Sequence, residues 1–183
     1  MKLKLQNVRL AFPQLLEAKT VNGEGKPAFS ANFLINPNDP QVKTIETVIA
    51  EVAKDKWGAK AESVLKALRS SDKICLHNGD TKSQYDGFEG MLFISARSTV
   101  APLVLDADKT RITSPSAGRP YSGCYVNASL EIYAQDNSYG KRINATLGGV
   151  QFFRDGDAFA GGRAASEDDF DDVSAGASAD DLS

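Results

Sequence analysis

Residues 121–134 of the chain read Tyr-Ser-Gly-Cys-Tyr-Val-Asn-Ala-Ser-Leu-Glu-Ile-Tyr-Ala, and this is the most informative segment of the sequence. Its even positions from Cys124 to Ile132 are uniformly apolar, whereas its odd positions include Tyr121, Tyr125 and Tyr133. Side chains two residues apart lie on the same face of a β-strand. The pattern therefore predicts a half-buried strand over 121–134, with three tyrosines together on the face opposite the core.

A partner strand follows directly in the sequence. The polar turn 135–140 precedes a second alternating segment that runs from Lys141 to about Phe153. If Ile143, Ala145 and Leu147 face the core, then the outward side chains of this strand are Arg142, Asn144 and Thr146. Gly148-Gly149 near its end predicts a bulge or a close backbone approach. The two strands are expected to form a hairpin.

Three further strands are predicted upstream. The first runs from Lys2 to Phe12, and its apolar period shifts at Gln6-Asn7, where a β-bulge would keep Leu3, Leu5, Val8, Leu10 and Phe12 on the core side. After a loop over 21–27, the alternation of Phe29, Ala31, Phe33 and Ile35 marks a second strand. A third runs from about Gly90 to Ser98, and 102–106 could form a short edge strand.

A helical insertion separates the second strand from the third. Asp39 is placed to cap a helix and Pro40 to occupy its first turn, before apolar residues recur at helical spacing over 42–53. Gly58 interrupts the pattern, and a second helix continues over 61–68. The fold class is therefore mainly β with a helical insertion at about 39–70 (α+β). Five main strands are enough for a small barrel, although the periodicity also fits a sandwich.

The formal net charge of −3 hides two parts of opposite sign. Residues 164–183 contain seven acidic side chains and no basic one, so residues 1–163 carry a net charge of +4. The last segment consists mainly of Gly, Ala, Ser and Asp, and it cannot bury enough apolar surface to offset its ordering entropy. We expect a folded domain over 1–163 and a disordered acidic C-terminal tail over 164–183.

Other features limit the location and the chemistry. The sequence shows neither a secretion signal nor an apolar run long enough to cross a bilayer, which favours a cytoplasmic protein. Cys75 and Cys124 lack the spacing of a zinc site or a disulfide scaffold, and we expect both to be buried. No metal or other cofactor is predicted.

The tyrosine face and its basic neighbours are typical of a surface for single-stranded nucleic acid. Aromatic rings stack on unpaired bases, while Arg and Lys neutralise phosphates. The candidate binding residues on these strands and the adjoining loops are Lys82, Arg97, Arg119, Tyr121, Tyr125, Tyr133, Tyr139, Lys141 and Arg142. Two alternatives stay open: the tyrosines could only stabilise the sheet as cross-strand pairs, or they could bind another protein.

Catalysis has less support. His77, the one histidine, stands in no recognisable nucleophile pattern, and no phosphate-binding glycine loop is present. Carboxylate pairs at Asp106 and Asp108, and at Asp155 and Asp157, could hold a divalent ion as a nuclease does. Asp-rich turns also arise for backbone reasons. A metal-dependent nuclease is therefore the alternative to a binding protein without catalytic turnover.

The charge of the tail suggests a function beyond solubility. Flexible carboxylates tethered to a basic groove can occupy it transiently as a weak mimic of DNA. The densest acidic run with an aromatic side chain is Asp168, Asp169, Phe170, Asp171 and Asp172.

The sequence resembles the OB-fold single-stranded DNA-binding proteins of tailed bacteriophages over most of residues 1–163. The resemblance is carried by the segments 8–13 (Val-Arg-Leu-Ala-Phe-Pro), 121–128, 139–142 (Tyr-Gly-Lys-Arg) and 155–163, of which 121–128 is the most specific. It implies an OB-fold-like five-stranded barrel and sequence-independent binding during phage DNA replication, recombination or repair in a bacterial host cell. Double-stranded DNA would bind weakly at most, and a homodimer is compatible with the sequence.

The acidic tail resembles those with which such proteins contact replication or recombination partners and regulate DNA access. One departure concerns its end. Many single-stranded DNA-binding proteins end in an aromatic residue after the acids, whereas this chain ends Asp180-Asp181-Leu182-Ser183 and holds its aromatic side chain at Phe170.

Overall fold

The computed structural model describes residues 1–21, 23–159 and 170–174. Within these ranges the chain forms two α-helices and seven strands. The helices are α1 (Gln41–Trp57) and α2 (Ala61–Ser70); the strands are β1 (Lys2–Val21), β2 (Glu24–Ile35), β3 (Leu76–Asn78), β4 (Leu92–Ser98), β5 (Leu103–Leu105), β6 (Tyr125–Asn137) and β7 (Gly140–Arg154). Among the described residues, no helix combines the length and the apolar character needed to cross a membrane.

Five of the strands close into a barrel in the order β1, β2, β4, β7, β6. Neighbouring strands are antiparallel except β4 and β7, which run parallel and pair through Arg97 and Thr146. The inward side chains form one apolar core, in which Phe33, Ile94 and Ile132 are completely buried. The predicted OB-fold-like barrel is confirmed, and the sandwich is excluded.

Both predicted bulges are present. Leu5 pairs with Ala128 and Val8 with Val126, so β1 has one residue more than β6 between these pairs, and Asn7 takes up a positive φ of 53° there. The second bulge is at Gly148, where an added Cβ would lie 3.0 Å from the carbonyl oxygen of Ser129. Each bulge keeps the apolar side chains of its strand on the core side.

The helical insertion is present, although α1 begins at Gln41 with Pro40 at the N-cap position, one residue later than predicted. The Asp39 carboxylate accepts a hydrogen bond from the backbone N–H of Gln41 (2.9 Å), and Gly58 ends α1 with a positive φ of 57°. Helix α1 buries Ile45, Ile49 and Ala53 against the barrel core. The segment 73–75, which follows α2, lies between β4 and β7. Cys75 N–H donates to the Ile143 carbonyl (2.9 Å), and Ser95 N–H donates to the Cys75 carbonyl (3.1 Å).

Several predicted boundaries were wrong. Strand β1 continues to Val21 and β2 begins at Glu24, so most of the predicted loop 21–27 is strand. The strand predicted over 121–134 begins at Tyr125 and ends at Asn137, and the short strand β3 was not predicted.

Phe12 was expected in the core, but its φ is +49° and its side chain is 44% exposed. The positive φ ends the alternation of β1, where the pairing with β2 also shifts register.

Part of the outer face of the barrel is covered by a second apolar cluster. Ala11, Leu34 and Phe93 point outward from β1, β2 and β4, and they are buried beneath Phe88 and Phe159. Phe88 comes from the loop before β4, and Phe159 comes from the segment after β7.

The tail predictions fall largely outside the described residues. The boundary at Arg163 and the residues Asp168 and Asp169 are among those not described. Phe170, Asp171 and Asp172 are described and exposed. The backbone N–H of Ser174 donates to the Asp172 carboxylate (2.9 Å), and the hydrogen bonds from Ser174 lower the pKa of that carboxyl.

Candidate nucleic-acid interface

A groove of about 800 Å³ runs over the seam between β4 and β7, and we call it the barrel groove. The outward side chains of β2, β4, β6 and β7 form its walls, because their sequence neighbours point into the core. The polar and charged side chains that line the barrel groove include Ser30, Asn32, Lys73, His77, Ser95, Arg97, Tyr133, Gln135, Arg142, Asn144 and Thr146. Arg142, Asn144 and Thr146 face outward as predicted.

The charge of the barrel groove is positive. Lys73, Arg97 and Arg142 line it, and no Asp or Glu among the described residues does so. All three cations are exposed, and within the described parts of the chain none has an acidic oxygen within 4.0 Å. The Arg97 guanidinium donates one long hydrogen bond within the described residues, to the Lys26 carbonyl (3.4 Å). Such a groove attracts phosphates, and bound phosphates would meet no carboxylate on its walls.

Tyr133 supplies an aromatic ring at the same place. It is 44% exposed, and its hydroxyl accepts a hydrogen bond from the Asn144 side-chain amide (3.4 Å). The same amide also donates to the Gln135 side-chain oxygen (2.9 Å). These contacts orient the tyrosine at its hydroxyl, so its ring remains accessible for a base to stack on.

Two more predicted residues lie outside the barrel groove: Tyr139 is in the β6–β7 turn, and Lys141 is near the start of β7. Tyr139 is 89% exposed, and its backbone N–H donates to the Asn137 side chain (2.9 Å). The Lys141 ammonium lies 3.8 Å from the Asp136 carboxylate, which also accepts a hydrogen bond from the Trp57 indole N–H (2.9 Å). The turn therefore presents an exposed ring next to a cation that is partly neutralised.

Tyr125 lies at the other end of β6, and its ring is covered. The Arg154 guanidinium carbon lies 3.7 Å from the ring centroid, and that of Arg9 lies 5.6 Å away. Arg9 is fixed in turn by hydrogen bonds to the carbonyls of Gly123 (2.9 Å) and Asp157 (2.8 Å), and it lies over the Phe159 ring at 4.3 Å. The three tyrosines therefore do not share one open face, which corrects the sequence-based expectation.

Tyr121 precedes β6 and belongs to the same structural network. Its hydroxyl donates to the Asp155 carboxylate (2.7 Å) and accepts from the Gly156 N–H (3.2 Å). Burial and the hydrogen bond with Asp155 raise the pKa of Tyr121. The ring packs against the barrel core, so this tyrosine holds the segment after β7 in place.

The other two predicted cations contact aromatic rings outside the barrel groove. Arg119 pairs with Asp106 (2.8 Å) and lies over the Phe152 ring at 5.0 Å. The Lys82 ammonium lies 5.4 Å from the centroid of Phe93. Of the predicted residues, the structure brings together Arg97, Tyr133 and Arg142 in the barrel groove, and it separates Arg119, Tyr121, Tyr125 and Lys82 from them.

Three of the four carboxylates considered for a nuclease are engaged in local contacts. Asp106 pairs with Arg119, and Asp155 accepts the hydrogen bond from Tyr121. Asp108 accepts hydrogen bonds from the Thr110 hydroxyl (2.5 Å) and backbone N–H (3.0 Å), which lower its pKa. In the described part of the chain, no group of three or more His, Cys, Asp or Glu side chains is arranged to hold a metal ion.

Two kinds of residue were missed from the sequence. Ser30, Asn32 and Ser95 could have been found, because the inward alternation of β2 and β4 implies their outward direction. The exposed aromatic pair Phe12 and Tyr85 could not have been found from the sequence pattern. It lines a second groove, of about 460 Å³, whose existence depends on the positive φ of Phe12.

Comparison with known proteins gives a consistent set of similarities. The family model described as "Enterobacter phage Enc34, ssDNA-binding protein" matches residues 1–182. Protein p50 of Acyrthosiphon pisum secondary endosymbiont phage 1 is 48% identical over 177 residues, which cover 95% of each chain.

Among solved structures, the single-stranded DNA-binding protein from bacteriophage Enc34 in complex with ssDNA is similar, with 28% identity and a TM-score of 0.72. The match covers 86% of this chain and 88% of that one. The same phage protein in another structure gives a TM-score of 0.70 at 28% identity, covering 93% and 90%. Bacteriophage T7 gp2.5, a single-stranded DNA-binding protein, has a TM-score of 0.59 over 90% and 98% of the chains; at 9% identity it shares the fold alone.

Proposed function

The chain belongs to the Enterobacter phage Enc34 ssDNA-binding protein family, and on that premise we propose that it binds single-stranded DNA in the barrel groove, without sequence preference and without catalytic turnover. The observation that carries the proposal is the combination of three cations and an accessible tyrosine in a groove that the described residues line without an acid. OB folds bind oligonucleotides on the face of their second and third strands, which here are β2 and β4.

Each part of the barrel groove has a separate role in this proposal. Arg97 and Arg142 neutralise phosphates from opposite sides of the β4–β7 seam, and Lys73 adds a third charge beside it. Tyr133 stacks on a base, an interaction that any of the four bases can make. Binding by charge and stacking explains why sequence preference is not expected, since neither contact distinguishes one base edge from another.

The charge contribution is tested by titrating a fluorescent oligothymidylate at several salt concentrations. Each phosphate contact on a single strand contributes about 0.7 to the slope of log affinity against log salt. Arg97→Ala and Arg142→Ala should therefore each weaken binding and reduce the slope by about that amount. Arg69→Ala is the matched control, because it removes the same charge from α2, where Arg69 pairs with Glu46 (2.6 Å). Equal slopes in all four proteins would contradict the proposal.

The acidic tail is proposed to regulate access to the barrel groove. The tail is acidic, and the barrel groove is positive and free of acids among the described residues, so the two are complementary in charge. A full-length variant with Asp168, Asp169, Asp171 and Asp172 changed to Asn should bind DNA more tightly and discriminate less between single and double strands. A chain stopped after Arg163 should behave in the same way. Unchanged curves for both would contradict a regulatory role.

We also propose that the same tail recruits replication or recombination proteins while the barrel protects exposed single strands during phage replication, recombination or repair. Exposed Phe170 and Val173, next to acids, offer a partner both apolar and charged contacts. Proteins captured from infected cells by the full chain should be lost from the tail variants.

Incubation with labelled DNA and magnesium or manganese tests the absence of turnover: a binding protein leaves the strand intact, whereas shortened products would indicate a nuclease.

A further inference from the structure

The second groove contains exposed aromatic rings that the barrel groove does not use. We define the Phe12–Tyr85 groove by the two rings that stand at its surface and by Phe88 and Arg119 in its wall. We infer that this groove is a second contact site for the same DNA strand, one that takes unpaired bases by stacking. The inference rests on the proposed function, because a strand must first be held in the barrel groove.

The backbone of Phe12 is the first observation. A φ of +49° is uncommon for any residue with a side chain and costs energy in a bulky aromatic one. The result of this conformation is that the ring leaves the core side of β1 and stands 44% exposed. Strained positions of this kind concentrate at binding sites, and here the strain displays an apolar ring to solvent.

The second observation is the arrangement of the rings. Tyr85 is 43% exposed and meets Phe12 edge to face, with centroids 5.0 Å apart and planes at 84°. Phe12 also lies 5.9 Å from the completely buried ring of Phe88, which fixes its position. Two exposed rings held on a buried one form a stacking platform that needs little ordering when a base arrives.

The charges of the Phe12–Tyr85 groove indicate what binds there. Lys19 and Arg119 line it together with Glu17 and Asp86, and Arg119 is already paired with Asp106. The groove therefore lacks the excess positive charge of the barrel groove. A ligand recognised here must gain its affinity from its planar, apolar faces, as unpaired bases do, and not from its phosphates.

A row of ring contacts runs from one groove to the other beneath the surface, because Phe93 and Phe88 are buried (2% and 0% exposed). His77 lines the barrel groove and stacks on Phe93 at 5.0 Å; Phe93 contacts Phe88 at 5.1 Å, and Phe88 contacts Phe12 at 5.9 Å. The ammonium of Lys82 lies above Phe93 on this route, where it can neutralise a phosphate. We infer that one strand passes over these buried rings from groove to groove, since OB folds contact about 4–16 nucleotides. This continuity is why we assign DNA, and not a separate protein, to the second groove.

The test measures binding of short and long oligothymidylates to the full chain and to four variants, over a range of salt. Tyr85→Leu and Phe12→Leu should weaken binding of the long strand by about 5-fold or more while the salt slope stays unchanged. The short strand, which fills the barrel groove alone, should bind them as it binds the wild type. Tyr85→Phe keeps the ring and should retain full affinity. Arg142→Ala should weaken both strands and reduce the slope.

A direct readout uses the wild-type chain, so it holds even if Phe12→Leu fails to fold. Ultraviolet irradiation of a complex with a long strand containing iodouracil should join the DNA covalently to Tyr85 or Phe12, as identified by mass spectrometry of the peptides. Crosslinks confined to Tyr133, with full affinity in Tyr85→Leu, would overturn the second site and leave the proposed function intact. Absence of DNA binding by the wild type would overturn both.

Discussion

The two ends of the β6–β7 hairpin contain the same kinds of residue and differ in what covers them. At the closed end, Tyr125 lies beneath the guanidinium of Arg154, and the segment 155–159 passes alongside. At the open end, Tyr133 and Arg142 line the barrel groove with no chain segment above them among the described residues. A tyrosine beside an arginine therefore stabilises the fold at one end and is available to a ligand at the other.

The difference originates in one short stretch of chain. After β7, the backbone returns over the start of β6, where Phe159 N–H donates to the Ser122 carbonyl (2.9 Å) and Arg9 fixes Asp157. Gly123 permits this close passage, because a Cβ there would collide with the carbonyl oxygen of Asp157. The identity of a residue does not decide whether it binds or supports; the path of a remote segment does.

The largest expected loss of stability comes from a side chain at position 123, where the segment 155–159 passes close to the backbone. Gly123→Ala introduces both a strained φ of +105° and a collision with backbone, so it should lower the free energy of unfolding by about 3 kcal/mol or more. Gly140→Ala is a matched control in the β6–β7 turn, where φ is +109° but no atom lies within 4 Å of the added Cβ. It should cost only about 1–2 kcal/mol. Urea unfolding measures both, and equal losses would show that the collision is relieved.

The two tyrosines give a second, intermediate test. Tyr133→Leu should weaken DNA binding by about 1–3 kcal/mol, because the side chain could no longer stack on a base. It should change the melting temperature little, since the ring is 44% exposed and its hydroxyl accepts a long hydrogen bond from Asn144 (3.4 Å). Tyr125→Leu should do the reverse: it removes a ring lying beneath Arg154 and lowers stability by about 1–2 kcal/mol, with binding retained. Anisotropy titrations measure DNA binding, and thermal melting measures stability. A binding defect in Tyr125→Leu but not in Tyr133→Leu would contradict the roles assigned to the two tyrosines.

The smallest effect at neutral pH concerns one thiol near each end, and it develops only above pH 9.0. Burial raises the pKa of Cys75, beneath the barrel groove, to about 12, and that of Cys124, at the closed end, to about 11. The unfolded thiols ionise near 9.0, so the folded chain holds more protons above that pH. The stability from these thiols is complete below pH 9.0 and is lost as the pH rises towards 11–12. Urea unfolding at increasing pH should show this decline.

Labelling checks the burial directly. At neutral pH an aromatic disulfide reagent should modify neither thiol until urea unfolds the chain. Faster labelling of Cys75 than of Cys124 in the folded protein would show that the open end fluctuates more. Rapid labelling of both would contradict their burial.

The sequence was sufficient where a feature depends on its neighbours in the chain. The alternation of β6 and β7 predicted which side chains face outward, and the shift at Gln6-Asn7 predicted a bulge, because both follow from the two-residue period of a strand. Asp39 and Gly58 marked the limits of α1 for similarly local reasons. These elements were enough to expect a mainly β fold with a helical insertion, whereas the choice of a barrel over a sandwich came from the family resemblance.

The sequence was insufficient where contacts come from far along the chain. Nothing near Tyr125 shows that Arg9 and the segment 155–159 close its surroundings. The exposure of Phe12 depends on one backbone angle, which its apolar neighbours gave no reason to expect. The candidate site was therefore predicted in part: Arg97, Tyr133 and Arg142 meet in one groove, whereas their combination with Ser30, Asn32 and Lys73 requires the folded barrel.

The parallel contact between β4 and β7 has a mechanical consequence. A single residue pair, Arg97 with Thr146, joins these strands directly, and the segment 73–75 fills the gap beside it. A ligand that contacts both Arg97 on β4 and Arg142 on β7 would add a second connection between these two strands. Occupancy of the barrel groove and folding would then be thermodynamically coupled, so a bound ligand would also stabilise the barrel against opening.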